Sequence, residues 1–296
     1  MSEFAPLPGL EHEDVVVNGR RLHVASVGAG PVLLLLHGWP EFWATWLPLM
    51  RRLQGRFRLV APDLYGFGRS DKPEGWRDDA DGDMHAVDMA AIVDALGLEA
   101  PLVVGHDVGA FVAQRLAARF PEKVRALHFF DCPTPAIGRR WVEKGMVNEI
   151  WYQSFHRLDL AEKLVGHDRA TCRLYFEHFL THWCHRKDAF ADALDLWVDN
   201  FMAPGALTGG FNWYRSMNAR RVRAIAGETE ETGRIPHRTR VLWGRHDPIC
   251  RAAWADVLPE VFSDLSVGFA EEAGHFVHVE WPDLAAADIA EFVSAL

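Results

Sequence analysis

Cysteine and tyrosine are both scarce in this chain, four of each in 296 residues. Cys132, Cys172, Cys184 and Cys250 are far apart and form no C-x-x-C pair. That spacing excludes a disulfide scaffold and a zinc knuckle, and it fits a reducing compartment. Basic residues are outnumbered, with 31 Lys and Arg against 41 Asp and Glu and a net charge of -10. Nucleic acid or an anionic membrane as main partner would require clustered Lys and Arg. Neither is expected, and small neutral molecules fit better. Long apolar runs are also missing: Val32 to Leu36 is far short of the ~20 residues that cross a bilayer. The opening residues, MSEFAPLPGLEHED, are acidic and lack the basic-then-apolar order of a secretory signal. A cytoplasmic location is the resulting expectation. There is no internal repeat and no low-complexity tract.

What remains is ordinary globular material, 49% hydrophobic and 24% charged, in an amount that suits one large or two ordinary domains. Val15 to Val24 reads as two short strands across an Asn18-Gly19 turn. Pro31 to Leu36 is continuously apolar, as a strand buried on both faces is. Similar strands are expected at Phe57 to Ala61, Leu102 to Gly105, Val124 to Asp131 and Thr239 to Gly244. Helical patterns fall between them, among them Ala44 to Leu53 and Val87 to Leu96. This alternation predicts an α/β fold with a mostly parallel central sheet and helices on both faces. From about Pro135 to Met217 the strands stop, and the chain reads as short aromatic-rich helices, a helical insertion. Ala224 to His237 reads as a charged connector, and a last helix is expected from Leu284 to Leu296.

Gly105-His106-Asp107-Val108-Gly109 lies between the strand Pro101 to Val104 and the helical run from Ala110. It has the form of a nucleophile elbow in which aspartate stands where serine is usual. The flanking glycines leave room for a strained turn that lifts the central side chain above the sheet, next to the positive end of a helix. The competing reading is an Asp that merely caps the helix. Downstream, Asp247 follows the strand Val241 to Gly244, and His275 lies in the loop Ala273-Gly274-His275-Phe276. Nucleophile, acid and histidine in that chain order are the arrangement of α/β-hydrolases. Asp131, at the end of another strand, competes with the favoured Asp247 for the acid. His37-Gly38-Trp39-Pro40 also follows a buried strand. The backbone N–H groups of Trp39 and Val108 are the expected oxyanion hole.

Gly105-His106-Asp107, His37-Gly38-Trp39-Pro40, Asp63-Leu64-Tyr65-Gly66-Phe67-Gly68-Arg69-Ser70, Asp247 and His275 together resemble the Asp-nucleophile branch of the α/β-hydrolase superfamily. That branch contains epoxide hydrolases, haloalkane dehalogenases and haloacetate dehalogenases. The segments Ile150 to His156 and Gly209 to Arg215 are similar to the cap of bacterial soluble epoxide hydrolases, which contributes one tyrosine from each. Carried over, these are Tyr152 and Tyr214, two of only four tyrosines. The sister families fit less well. Haloalkane dehalogenases place Trp directly after the nucleophile and haloacetate dehalogenases place Arg there, whereas this chain has Val108.

The resemblance implies an α/β-hydrolase core over residues 1–134 and 218–296 with an inserted helical cap over 135–217. It implies an epoxide hydrolase that forms an alkyl ester on Asp107, with Tyr152 and Tyr214 as ring-opening acids and Asp247 and His275 driving hydrolysis. The alternatives are a haloalkane or haloacetate dehalogenase and, from another class, a non-catalytic ligand-binding protein of the same fold. Trp39, Phe111, Trp151 and Trp213 are the expected substrate-binding residues, with Trp43 and Trp183 extending an aromatic-lined cavity for a small apolar epoxide. Water is the second substrate. No cofactor, metal, nucleic acid or membrane partner is expected, and a homodimer is left open. The one pattern that invites a metal, His178-x-x-x-His182-x-Cys184-His185, lies in an aromatic helix without an H-E-x-x-H arrangement, so it reads as packing.

Overall fold

Asn18 and Gly19 both take positive φ, 52° and 75°, and turn β1 (Glu11–Val17) back onto β2 (Arg20–Val27) in antiparallel register. The computed structural model that contains this hairpin describes residues 2–228 and 233–296. The sheet continues with β3 (Val32–Leu36), which is followed by α1 (Leu47–Leu53), β4 (Arg58–Pro62) and α2 (Gly82–Ala95). Next come β5 (Leu102–His106), α3 (Val108–Arg119) and β6 (Ala126–Phe130). After β6 the chain leaves the sheet for a 3-10 helix (Pro135–Val142) and seven helices. These are α4 (Met146–Glu149), α5 (Trp151–Phe155), α6 (Asp159–Val165), α7 (Arg169–His182), α8 (Leu194–Met202), α9 (Ala206–Ser216) and α10 (Asn218–Ala226). The sheet resumes with β7 (Ile235–Gly244), α11 (Leu258–Val261) and β8 (Phe262–Ala270), and the chain ends in α12 (Val277–Glu280) and α13 (Pro282–Ser294).

The eight strands lie in the order β1-β2-β4-β3-β5-β6-β7-β8. Only the β1/β2 and β2/β4 pairs are antiparallel, so the sheet is mostly parallel, as the buried apolar runs predict. Helices cover both sides, α2 packing with α3 and α1 with α13. In the middle of the sheet β5 and β6 are buried at every position, the condition under which a strand shows no polar alternation.

Several expectations are corrected. β8 carries no sequence signal, because Ser263, Asp264, Ser266 and Gly268 dilute a strand that sits at the sheet edge with most positions open to water. α2 begins at Gly82 rather than Val87: Asp81 caps it by accepting the N–H groups of Asp83 and Met84, both at 3.0 Å, a stronger start signal than the apolar spacing. β7 begins at Ile235, four residues early, and a bulge between Ile235 and Arg238 breaks its pattern. The connector expected over 224–237 is therefore helix at its start and strand at its end. Its residues 229–232 lie outside the described residues.

Candidate active site

The nucleophile, acid, histidine and oxyanion-loop candidates sit at the carboxyl ends of parallel strands. His37 to Pro40 follow β3, Asp107 follows β5, Asp131 follows β6, Asp247 follows β7 and His275 follows β8. In open parallel sheets this is the edge where ligands bind.

Asp107 has φ 48° and ψ -114°, and its carboxylate makes no bond to the helix that starts at the next residue. The helix-cap reading is thereby excluded, and the strained backbone turns the side chain out. Two glycines make this possible. A Cβ on Gly109 would stand 1.9 Å from the Leu36 carbonyl oxygen, and one on Gly38 would stand 2.6 Å from Asp107 Cβ. The close approach at Gly38 brings the Trp39 N–H to donate to Asp107 Oδ2 at 3.0 Å. Val108 contributes the first amide of α3, one of the helix-start N–H groups that have no partner within the helix.

Asp247 and Asp131 both reach His275, and they differ in how. The His275 Nδ1–H donates to Asp247 Oδ2 at 2.9 Å, and Asp247 Oδ1 is fixed by the N–H groups of Ile249 (2.8 Å) and Cys250 (2.9 Å). Asp131 Oδ2 approaches the same Nδ1 at 3.2 Å without forming a hydrogen bond. Its Oδ1 accepts the Asp107 N–H at 3.0 Å. Asp247 is thus the carboxylate that orients the ring, while Asp131 braces the elbow. With Nδ1 so engaged, the buried Nε2 of His275 has no partner among the described residues.

Burial by itself would suppress the His275 cation, but the Asp247 carboxylate, with Asp131 behind it, outweighs burial and pushes the pKa up to about 9. Burial raises the Asp107 carboxyl above its usual range, and the charges of His275 and His106 and the Trp39 N–H hold it back. At neutral pH His275 is therefore an imidazolium.

Behind this pair is a network that the sequence reading did not assign. Glu41, His106 and His278 are fully buried. Glu41 Oε2 accepts from the Gly38 N–H (2.6 Å) and from His106 Nδ1 (2.7 Å). Its Oε1 accepts from Thr45 Oγ1 (2.6 Å) and lies 3.1 Å from His278 Nε2. His106 Nε2 donates to the His275 carbonyl at 3.0 Å. A carboxylate and a carbonyl can only accept, so both ring nitrogens of His106 carry protons and the ring is an imidazolium. Burial opposes that charge, and Glu41 overcomes it and raises the pKa. The available signal was the position of two polar residues, His106 within one motif and Glu41 directly after the other.

Tyr152 and Tyr214 come from α5 and α9 and meet above Asp107, their ring centroids 5.4 Å apart at 88°. The fully buried Trp39 ring supports both, stacked on Tyr152 (5.3 Å, 6°) and edge-on to Tyr214 (5.5 Å). Burial, and then the Asp107 charge, raise the phenol pKa of Tyr152, and burial raises that of Tyr214. Both phenols therefore carry their protons at rest.

Asp107, Val108, Tyr152 and Tyr214 line one cavity, together with Phe111 and Trp213. Trp39 and Trp151 are not in its wall, which corrects their assignment as substrate-binding residues. The Trp39 ring is sealed beneath the tyrosines, and Trp151 is 42% exposed, packed against Phe179. Trp43 and Trp183 are likewise buried outside the lining. Arg220 and Arg221, not anticipated, are part of it.

Three buried groups bring ligand-type atoms within 4.8 Å of one another: Glu41, His106 and His278; His106, Asp131 and His275; and Asp131, Asp247 and Cys250. They belong to the hydrogen-bond system just described. In the segment that invited a metal check, His178 stacks on His182, which binds Glu149 at 2.7 Å, and His185 stacks on His246.

A family model described as the alpha/beta hydrolase fold matches residues 31–282. The soluble epoxide hydrolase of Corynebacterium sp. (strain C12) is 29% identical over 92% of this chain and 93% of its own length. Epoxide hydrolase 1 of Siraitia grosvenorii is 34% identical over 71% of this chain and 73% of its own. Among solved structures, epoxide hydrolase CorEH without ligand superposes with a TM-score of 0.83 at 27% identity, covering 97% of this chain and 99% of that one.

Proposed function

Since the chain belongs to the α/β-hydrolase family, we propose that it is an epoxide hydrolase, opening an oxirane to a vicinal diol through a covalent ester on Asp107. The observation that carries this reading is the sharing of one cavity by the Asp107 carboxylate and the Tyr152 and Tyr214 phenols, a nucleophile facing two proton donors. The names of the curated and structural relatives support the same reaction. Residues 135–217 act as a lid that brings the tyrosines to a core formed by 1–134 and 218–296.

The chemistry explains the aspartate. Attack at a saturated carbon with serine would leave an inert ether, whereas a carboxylate leaves an ester that water can cleave. Asp107 Oδ1 attacks one oxirane carbon as the C–O bond opposite breaks, and the phenols protonate the departing oxygen. Oδ2, which already accepts the Trp39 N–H, becomes the ester carbonyl.

Alkylation removes the Asp107 charge that favoured the His275 cation. The imidazolium releases its proton, through water, to the phenol that gave one to the alkoxide. Neutral His275, oriented by Asp247, then takes a proton from water. The hydroxide attacks the Asp107 carbonyl carbon, and the Trp39 and Val108 amides stabilise the oxyanion. The intermediate breaks its bond to the substrate oxygen, the departing alkoxide takes the proton of the new Asp107 carboxyl to become the diol, and the carboxylate and imidazolium are restored.

The test is alkylation measured by pre-steady-state quenching of tryptophan fluorescence on mixing with styrene oxide. Tyr152→Phe and Tyr214→Phe should each slow it, and the double variant should lose about 10²–10⁴-fold, the usual contribution of a general acid. Halide departure needs no proton, so an unchanged rate in the double variant, or faster release of halide from a bromoalkane than of diol from the epoxide, would move the assignment to the dehalogenases.

A further inference from the structure

The cavity above Asp107 is not apolar throughout, because Arg220 and Arg221 form part of its wall. The two arginines differ. Arg220 donates to Asp83 Oδ2 at 2.8 Å and lies over the Phe111 ring. Arg221 makes no ion pair among the described residues, and its Nε is buried without a hydrogen-bond partner. Its neighbour Arg157, whose charge acts on it, also has a buried Nε without a partner. Buried unpaired donors are costly, and more so on two adjacent cations, unless an anion completes them. A guanidinium does not escape by losing its proton.

The direction of Arg221 is set by the helices that carry it. α9 and α10 meet at Met217, whose backbone is itself right-handed helical. Tyr214, Met217, Arg221 and Ala224 follow one another at intervals of three, four and three residues, and all four line the cavity. This is one face of a nearly continuous helix. Seven residues at the helical rise put Arg221 about 10 Å beyond Tyr214 along the axis, and long helical side chains lean back toward the N-terminus, here toward the phenols. Apolar Met217 lies between the two.

We propose that Arg221 receives an anionic group of the substrate, so that the preferred substrates are epoxides carrying a carboxylate several carbons from the oxirane. The proposal rests on the epoxide-opening reading and refines its small apolar substrate. It also meets an electrostatic need, since an anionic substrate approaching the Asp107 carboxylate requires a cation at its other end.

The test compares a medium-chain carboxylic acid bearing a terminal oxirane with the alcohol of the same length. Wild type should favour the acid in kcat/KM by about tenfold to a hundredfold, the range for a hydrogen bond to a charged group, and the preference should shrink as salt is raised. Arg221→Met should bring the ratio close to one, mainly through KM, and Arg221→Lys should keep part of it. Arg139→Met, which removes an exposed charge outside the cavity, should keep the whole ratio. Good turnover of both compounds at equal kcat/KM, or an unchanged ratio in Arg221→Met, would overturn the anion site. Binding of the saturated acid without an oxirane, followed by tryptophan fluorescence, separates this from the chemistry. Loss of that binding in Arg221→Met, with no diol formed from any oxirane, would sustain the anion site and remove the epoxide reading.

Discussion

Two carboxylates converge on a single ring nitrogen of His275, and the distances assign them different work. Asp247 holds the Nδ1–H at 2.9 Å, while Asp131 stands at 3.2 Å and spends its better-placed oxygen on the Asp107 N–H. Burial, with the charges of Asp247 and Asp107 nearby, raises the Asp131 carboxyl well above its usual range. A carboxyl whose charge is so disfavoured is a weaker partner for an imidazolium than Asp247, whose Oδ1 accepts two backbone N–H groups. Asp247→Asn is therefore expected to slow hydrolysis of the alkyl-enzyme by about 10²–10⁴-fold. Asp131→Asn, which keeps an acceptor for the Asp107 amide, should lose far less. His275→Gln should trap the ester outright. Intact-protein mass spectrometry during turnover reads all three as the fraction of alkylated chain. A larger accumulation in Asp131→Asn than in Asp247→Asn would transfer the role of acid to Asp131.

Glu41 works at the level of the elements. It ties the loop after β3, the end of β5 and α12 to one carboxylate through Gly38, His106 and His278. Removing one partner from such a buried pair typically costs about 3–5 kcal/mol, so Glu41→Gln should lower the urea midpoint substantially. The pH dependence tests the charges. The His106 pKa is raised in the folded chain, so its contribution is full below the unfolded value near ~6.5 and is lost as pH rises through the folded one. The Glu41 pKa is lowered well below its usual value. Its contribution is present above ~4.3 and is lost as pH falls through the folded value. The deficit of Glu41→Gln should thus peak in the weakly acid range and shrink toward alkaline pH. A deficit that does not vary with pH would contradict a buried imidazolium.

The same network marks the limit of what the sequence reveals. Asp107, Asp247 and His275 are legible because each follows an apolar strand in a turn, where a polar residue needs a reason. β3 to β6 are legible because burial on both faces leaves unbroken apolar runs. His106 lies within one of the same short motifs and Glu41 directly after the other, but their roles depend on partners far away in the chain, each other and His278 among them, that only folding brings together. The edge strand β8 is polar because its faces are wet. The cavity wall was the least legible. Trp39 and Trp151 have the right composition but lie outside the cavity wall, while Arg221 is indistinguishable in sequence from Arg220 and Arg223 beside it.

In the whole molecule the helical segment and the sheet are joined at the histidine loop. The His275 N–H donates to the Trp183 carbonyl just past α7 at 2.9 Å. Glu280 accepts the N–H groups of Gly274 and Phe276 from the core with one oxygen and those of His185 and Arg186 from the helical side with the other. The tyrosines from one part and the histidine from the other are thereby held in fixed relation. In the proposed cycle they exchange one proton, which the phenols pass to the alkoxide and His275 regains from water. The direction of the pH dependence follows. Hydrolysis requires neutral His275, whose pKa is about 9 while Asp107 is charged and falls once Asp107 becomes an ester. Below that lower value the hydrolytic rate should drop about tenfold per pH unit, because the fraction of neutral base does. Alkylation requires ionised Asp107, whose pKa burial raises and the charges of His275 and His106 hold back. From alkaline toward neutral pH the second step should therefore slow before the first, and alkylated chain should accumulate at steady state. Rapid quenching during turnover, with the adduct counted by mass across this range, provides the measurement. An adduct fraction that only declines as pH is lowered would mean that His275 does not gate the hydrolytic step.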